Sequence, residues 1–221
     1  VDCCGRIGAL MRRATDHPPN EDLRTARGVL AVGLASAALW LLVMSVAGLA
    51  MAGRAQAASA ATVRVPTASA TYRLQVERAA AEYFGLSASP ARLAAQLHQE
   101  SGWRDDAQSA YAIGLAQFTP ATAKWLPEIC PELGGFDPWD AGQSIRAAAC
   151  YDRWLFDRVG GVTACDQWAF TLSAYNGGLR WVYRDVLLAD ANGRDDKRWF
   201  GHVELMSSRA PWAFRENRDY V

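Results

Sequence analysis

The chain has 221 residues, of which 51% are hydrophobic and 21% are charged, as is typical of a globular rather than a disordered protein. Its 23 basic residues balance 23 acidic ones, so it lacks the positive excess of nucleic-acid-binding proteins, and we expect no nucleic-acid partner. The cysteines form no CxxC pair and the three histidines are scattered, so we expect neither a metal site nor a cofactor.

An uncharged segment, residues 28–53, follows an arginine-containing stretch, residues 1–27. As a helix, the segment would be about 39 Å long, enough to cross a hydrocarbon core of about 30 Å. The arginines predict a cytoplasmic N-terminus and an exported C-terminal part. About half of the segment is Ala, Gly or Ser, so its insertion is expected to be marginal.

Two interpretations of the segment stay open. We favour a transmembrane or signal-anchor helix, retained or releasable, whereas residues 55–57, Ala-Gln-Ala, have the small-x-small form of a signal-peptidase site. The sequence does not decide whether translation starts at Val1 or Met11. Residues 54–71 are small and polar and predict a linker, so the folded domain is expected to cover 72–221.

The domain has helical periodicity and no convincing strand pattern, which predicts a mainly α fold. The first predicted helix runs from near Tyr72 to Gly85, and the second runs from Ser89-Pro90 to Glu100. A third, short helix starts at Thr119-Pro120. The remaining predicted helices span 140–158, 166–175, which is broken by glycines at 177–178, then 179–188 and about 196–207.

Three short elements concentrate polar residues at helix ends and loops: QESG at 99–102, GLAQFTP at 114–120 and SAYNGG at 173–178. In order and spacing they resemble the catalytic domain of peptidoglycan lytic transglycosylases of the soluble-transglycosylase, goose-lysozyme-like type. The resemblance implies a lysozyme-like helical domain. It also implies cleavage of the β-1,4 bond between N-acetylmuramic acid and N-acetylglucosamine.

The resemblance assigns Glu100 as the catalytic acid, with Tyr175 orienting it and Gln117 and Asn176 binding sugar. The residues that it places at the substrate are Ser101, Ser109, Gly114, Gln117, Tyr175 and Asn176. Two positions depart from the family pattern. Ala116 replaces a usual methionine, and Tyr111 stands in a loop that usually carries glycine and is one residue longer.

Glu100 lies where a helix should end, beside the negative end of the helix dipole. A free glutamate with a pKa of about 4.3 is protonated only about one time in 500 at pH 7, so a general acid needs its pKa raised by roughly two. The dipole at the helix end raises the pKa by less than half of this amount. Burial is therefore the predicted main cause.

The product of the reaction stays open. Many glycosidases use two carboxylates, and Asp105 and Asp106 are the obvious second candidates. The resembling family uses one, because the C6 hydroxyl of N-acetylmuramic acid attacks its own C1 and gives a 1,6-anhydro product. We favour this over hydrolysis. We also expect Trp103 to be the tryptophan to test as a sugar contact, and no catalytic role for His98.

The layout resembles a bacteriophage endolysin with a releasable anchor, which implies an inner-membrane start, a periplasmic catalytic domain, peptidoglycan as partner and host lysis as the role. We expect a monomer. Alternatives are a bacterial wall-remodelling or secretion-system transglycosylase, and an inactive wall-binding virion protein. In the periplasm, two of Cys130, Cys150 and Cys165 are expected to pair while the third stays buried; the sequence does not say which two.

Overall fold

The computed structural model describes residues 66–221. The expected cytoplasmic segment 1–27, the expected membrane helix 28–53 and all but the end of the expected linker 54–71 lie outside the described residues. Among residues 66–221, no helix is long and apolar enough to span a bilayer.

The described part of the chain is mainly helical. It contains no strand, only two isolated bridges within the loop 108–118, so the predicted mainly α class is confirmed. The α-helices are α1 (Ser69–Phe84), α2 (Pro90–Ser101), α3 (Pro120–Ile129), α4 (Ala141–Phe156), α5 (Ala164–Gly177), α6 (Leu179–Ala191) and α7 (Pro211–Tyr220). Short 3₁₀ turns occupy Pro131–Leu133 and Val203–Leu205.

Side-chain caps begin several of these helices. Thr119 accepts a hydrogen bond from the backbone N–H of Thr122 at the start of α3, and Thr163 forms a capping box with Asp166 at the start of α5. Ser89 occupies the predicted N-cap position of α2, but its side chain makes no capping hydrogen bond. The feature of the sequence that favours a helix start here is Pro90 at the first helical position.

The predicted helix 196–207 is wrong, since only the turn Val203–Leu205 forms. Trp199 and Val203 are buried four residues apart, which imitates a helical pattern, but Gly201 takes a left-handed φ of 77° between them. Helix α7 was not predicted at all. Asn217 is its only buried residue and most of its residues are polar, so no run of apolar residues marks it in the sequence.

Two hydrophobic clusters form the core. One joins α1, α2 and α4 around Leu97 and Ile145, and the other joins α5, α6 and the segment around Trp199. Tyr151 and Tyr175 pack against both clusters. The carboxyl end of α5, which carries Tyr175, is therefore held by both halves of the core.

A disulfide joins Cys130 after α3 to Cys150 on α4, closing a sequence separation of 20 residues. This pairing was left open by the sequence. The third cysteine, Cys165, was expected to be buried, but it lies in the first turn of α5 and is only half-buried.

Candidate active site

Glu100 lies in the last turn of α2. The helix ends because Gly102 adopts a left-handed φ of 61°, and its backbone N–H bonds to the carbonyl of His98. Glu100 is partly exposed, whereas the next residue, Ser101, is buried. The carboxyl therefore keeps some contact with solvent at the end of a helix whose residues Leu93, Gln96 and Leu97 are buried.

The direct hydrogen-bond partner of Glu100 is Tyr220, whose hydroxyl donates to Oε1 of the carboxyl group. The two residues are 120 positions apart, and Tyr220 belongs to the unpredicted helix α7. No motif in the sequence pointed to this contact. It is the principal site residue that sequence analysis missed.

Burial raises the pKa of Glu100 to about 7 from an ordinary value of 4.5. The negative charge of Glu216 on α7 acts in the same direction, while the hydrogen bond from Tyr220 acts to lower the pKa because it favours the ionised form. Burial is the largest cause, as the sequence argument predicted. A carboxyl with this pKa keeps a proton on a substantial fraction of molecules near neutral pH.

A buried polar network holds α7 in place. Asp185 on α6 is fully buried and lies 3.0 Å from Arg218 and 3.4 Å from Arg209. Asn217 donates to the carbonyl of Ser173 on α5 at 2.9 Å. Since buried ion pairs are costly to break on one side, this network positions the helix that carries Tyr220.

Tyr175 lies beside Tyr220, the hydrogen-bond partner of Glu100. Its hydroxyl donates to the carbonyl of Ala116 at 3.0 Å, and its ring lies parallel to that of Tyr220 with centroids 6.5 Å apart. The resemblance implied that Tyr175 orients Glu100. In the structure the hydroxyl that bonds the carboxyl is that of Tyr220, while Tyr175 ties α5 to the loop before α3.

Asn176 contacts the C-terminal helix. Its Oδ1 accepts a hydrogen bond of 2.8 Å from Nδ2 of Asn217. Its amide nitrogen makes no hydrogen bond within the described part of the chain, so Nδ2 remains a donor for a ligand.

Gly114 and Gln117 shape the loop between α2 and α3. Gln117 Nε2 donates to the carbonyls of Ala107 at 3.1 Å and Gly114 at 2.8 Å, and its backbone takes a left-handed φ of 50°. A Cβ on Gly114 would lie 1.9 Å from the carbonyl oxygen of Pro138, at a φ of 75°. Glycine is therefore required at this close approach.

The two serines of the predicted site differ in surroundings. Ser101 is buried and donates to the carbonyl of Leu97 within its own helix at 3.2 Å. Ser109 is exposed, and its Oγ accepts from the backbone N–H of Ala112 at 2.9 Å, which closes a turn at the loop tip. Tyr111, the unusual residue of this loop, is 82% exposed beside it.

The other residues singled out by the sequence make no hydrogen bond to Glu100 in the part of the chain that the structure describes. Trp103, the tryptophan singled out for testing as a sugar contact, is 5% exposed, and its ring stacks on that of Tyr72, so it is a core residue. Asp105 and Asp106 are exposed, and Asp105 accepts a hydrogen bond from Tyr72. His98 is also exposed, on the outer side of α2.

Potential metal-ligand atoms come together in one grouping of the described residues, Cys130, Glu132 and Cys150. Both sulfurs are joined in the disulfide, so they supply no thiolate. Glu132 is taken up by a hydrogen bond from Tyr83. This grouping does not fit a metal ion.

Comparison with known proteins identifies the family to which this helical domain belongs. Residues 78–197, more than half of the chain, match the family described as the transglycosylase SLT domain. The chain belongs to this family. The matched span contains Glu100, Gly114, Gln117 and the Tyr175-Asn176 pair, but ends before Tyr220.

Similar curated proteins carry the name membrane-bound lytic murein transglycosylase F. The relative from Maricaulis maris is 39% identical over 116 residues, which are 52% of this chain and 24% of the relative. The relative from Actinobacillus succinogenes is 35% identical over 109 residues, 48% of this chain and 21% of the relative. The chain thus spans about a quarter or less of the length of these proteins.

Proposed function

We propose that the protein cleaves the glycan strands of bacterial peptidoglycan between N-acetylmuramic acid and N-acetylglucosamine, with Glu100 as the catalytic acid. The observation that carries this proposal is the carboxyl of Glu100, partly open to solvent and with its pKa raised to about 7 by burial. Membership of the SLT family and the names of the similar proteins support the substrate.

The proposed reaction uses one carboxyl twice. Protonated Glu100 donates its proton to the glycosidic oxygen as the bond to C1 breaks through an oxocarbenium-like state. The C6 hydroxyl of the same N-acetylmuramic acid then attacks C1, and Glu100 takes up the hydroxyl proton. The products are a 1,6-anhydro end and a new free sugar end, and the acid returns to its starting state.

Tyr220 fits this cycle because its hydroxyl donates to Glu100. After proton transfer to the leaving group the carboxylate is charged, and a hydrogen bond to a charged group is stronger than one to a neutral group. Tyr220 therefore stabilises the intermediate protonation state. It also fixes the carboxyl in one orientation between the two proton transfers.

The surroundings of the acid favour the non-hydrolytic product. Inverting and retaining hydrolases place a second carboxylate across the scissile bond. The two sequence neighbours that were candidates, Asp105 and Asp106, are exposed, and the first of them is bonded to Tyr72. An internal hydroxyl gains instead from proximity and needs no such base.

The test compares the wild-type protein with Glu100→Gln on purified cell walls. We expect the wild type to release fragments whose sugar ends are one water lighter than a reducing end by mass spectrometry. The variant should release none. Equal release by both proteins would exclude Glu100 as the acid, and reducing ends would assign a hydrolytic muramidase.

Among the residues that the family resemblance places at the substrate, some are proposed to contact sugar directly and others to shape the walls of the site. Asn176 and Gln117 would contact sugar through the amide atoms that their internal hydrogen bonds leave unused. Ser109 lies on the exposed loop tip, whereas Gly114 and Ser101 act by shaping the walls. Asn176→Ala should raise KM for glycan fragments more than it lowers kcat.

The proposed setting is the periplasm, with the chain reaching the inner membrane through residues 28–53 and lysing the host of a bacteriophage. Support comes from the uncharged segment and its preceding arginines. Expressing the full chain in bacteria and collapsing the membrane potential should trigger lysis if the anchor is releasable. Growth without lysis, together with altered wall turnover, would assign a remodelling enzyme instead.

A further inference from the structure

A buried asparagine of the C-terminal helix lies against the end of α5. Asn217 on α7 is 1% exposed. Its Nδ2 donates to the backbone carbonyl of Ser173 at 2.9 Å and to Oδ1 of Asn176 at 2.8 Å. Its Oδ1 accepts from Oγ of Ser173 at 2.7 Å and from Nη1 of Arg218 at 2.6 Å. Both donors and both acceptor sites of this amide are therefore used.

The partners of Asn217 fix the orientation of its amide. The carbonyl of Ser173 can only accept a hydrogen bond, so the amide nitrogen must face it. The guanidinium of Arg218, which also bonds the buried Asp185 at 3.0 Å, can only donate, so the amide oxygen must face that side. The opposite orientation would leave buried donors and acceptors unpaired, which is costly.

The fixed orientation of Asn217 determines that of Asn176. Since Asn217 presents an N–H to it, Asn176 must meet this N–H with its oxygen, and its own Nδ2 lies on the other branch of the amide. This nitrogen makes no hydrogen bond within the described part of the chain, and Asn176 is partly exposed. Asn176 therefore offers N–H donors to a ligand.

A glycine allows α7 to lie this close to α5. A Cβ on Gly177, the residue after Asn176, would lie 2.9 Å from Nδ2 of Asn217 and 2.4 Å from Nη1 of Arg209. A larger residue would displace the amide of Asn217, which four hydrogen bonds hold. Gly177 is therefore needed for the contact between the two asparagines.

The same face of α7 contacts the acid. Asn217 and Tyr220 are three residues apart, a spacing that makes side chains neighbours on a helix. Tyr220 donates to Glu100, and its ring stacks on that of Tyr175, which precedes Asn176. One helix face thus holds both the acid and the amide that is proposed to bind sugar.

We propose that Asn217 is a positioning residue that determines what Asn176 recognises: it holds the amide of Asn176 with the N–H donors toward the glycan. A sugar hydroxyl can donate or accept, so it would tolerate either orientation. The carbonyl oxygen of an N-acetyl group only accepts, so it is the group of the glycan for which the held orientation matters. The inference rests on the proposed function, in which Asn176 binds sugar.

The variant Asn217→Asp reverses the polarity of the contact while keeping its shape. The new carboxylate lies beside Arg218 and Arg209, two cations that pair with the same carboxylate, Asp185, so it should stay ionised. Because a carboxylate only accepts, Asn176 must turn its amide nitrogen toward α7 and its oxygen toward the glycan.

The first test is hydrogen exchange of the side-chain amides in the full chain, followed by NMR, and it needs no substrate. In the wild type the NH2 group of Asn217 should be protected from exchange and that of Asn176 should not. In Asn217→Asp, exchange at Asn176 should slow about tenfold, because its hydrogens become bonded to a carboxylate. Ser173→Ala removes one hydroxyl from the network but leaves both donors of Asn217 in use, so exchange at Asn176 should stay as in the wild type.

Protected Asn176 hydrogens in the wild type would overturn the proposal without any variant. Exchange at Asn176 that is unchanged in Asn217→Asp, or that changes equally in Ser173→Ala, would overturn it as well. The second of these results would mean that both variants only loosen α7.

The second test measures binding in the Glu100→Gln background, so that no glycan is cleaved. The probe is the tetrasaccharide of alternating N-acetylglucosamine and N-acetylmuramic acid, titrated by calorimetry. Adding Asn217→Asp should raise the Kd about tenfold, because acceptor then meets acceptor. The same change at an exposed site, Asn192→Asp after α6, should not raise it. An unchanged Kd with a turned Asn176 would overturn the proposal.

A double variant separates positioning from structural damage. If Asn217 acts through Asn176, adding Asn217→Asp to Asn176→Ala should raise the Kd no further, whereas an additional tenfold rise would overturn the proposal. Failure of the wild type to cleave cell walls would refute the proposed function. The exchange rates at Asn176 would still test the positioning, so the two failures are distinguishable.

Discussion

Replacing Glu100 by glutamine should stabilise the folded protein at alkaline pH while removing its activity. Folding buries this carboxyl and raises its pKa from 4.5 to about 7. Between these values the folded state binds a proton that the unfolded chain has released, so the free energy of unfolding falls as pH rises. Below pH 4.5 both states are protonated, and above pH 7 the loss is complete.

The size of the effect follows from the two pKa values. At about 1.36 kcal/mol for each pKa unit, the ionised carboxyl costs about 3 kcal/mol at pH 8 and below about 1 kcal/mol at pH 5. Glutamine has nearly the same shape, still accepts a hydrogen bond from Tyr220 and never ionises. The stabilisation by Glu100→Gln should therefore grow by about 2 kcal/mol between these two pH values.

The assay is urea unfolding of wild type and variant at several pH values from 5 to 8, followed by circular dichroism. Glu128→Gln serves as the matched control, because Glu128 is exposed on α3. The control should change stability little at any pH. A gain from Glu100→Gln that does not depend on pH would mean that Glu100 ionises like an exposed glutamate, and the argument for a protonated acid would fail.

Three further outcomes are expected. Tyr220→Phe removes a hydrogen bond that favours ionised Glu100, so the alkaline limb of kcat/KM should move up by about one pH unit, and a downward shift would contradict the assignment. Cys130→Ala combined with Cys150→Ala opens a 20-residue loop and should lower the free energy of unfolding by about 3 kcal/mol in urea titrations. Gly114→Ala should lower the melting temperature sharply, because its Cβ would lie 1.9 Å from a neighbouring carbonyl oxygen; a normal melting temperature would show that the loop can move away.

The sequence was sufficient for features that depend on neighbouring residues. Periodicity predicted helices at α1 to α6 within a few residues, although α1 begins earlier, at Ser69, and α6 extends to Ala191. The sequence also indicated the unusual position of Glu100, a carboxyl at the negative end of a helix dipole, two residues before Gly102. Because the helix dipole is too weak to raise the pKa of Glu100 by itself, the sequence predicted burial as the main cause, as the structure has it.

Tertiary structure alone decided which groups surround the acid. Tyr220 comes from a largely polar helix that buries only Asn217, yet it supplies the hydroxyl that donates a hydrogen bond to Glu100. Asn217 looks like an ordinary polar residue of that helix until packing buries it and it bonds Asn176. Helix periods and caps act over a few residues, whereas burial and electrostatic coupling depend on distances through space, which the order of residues along a chain does not contain.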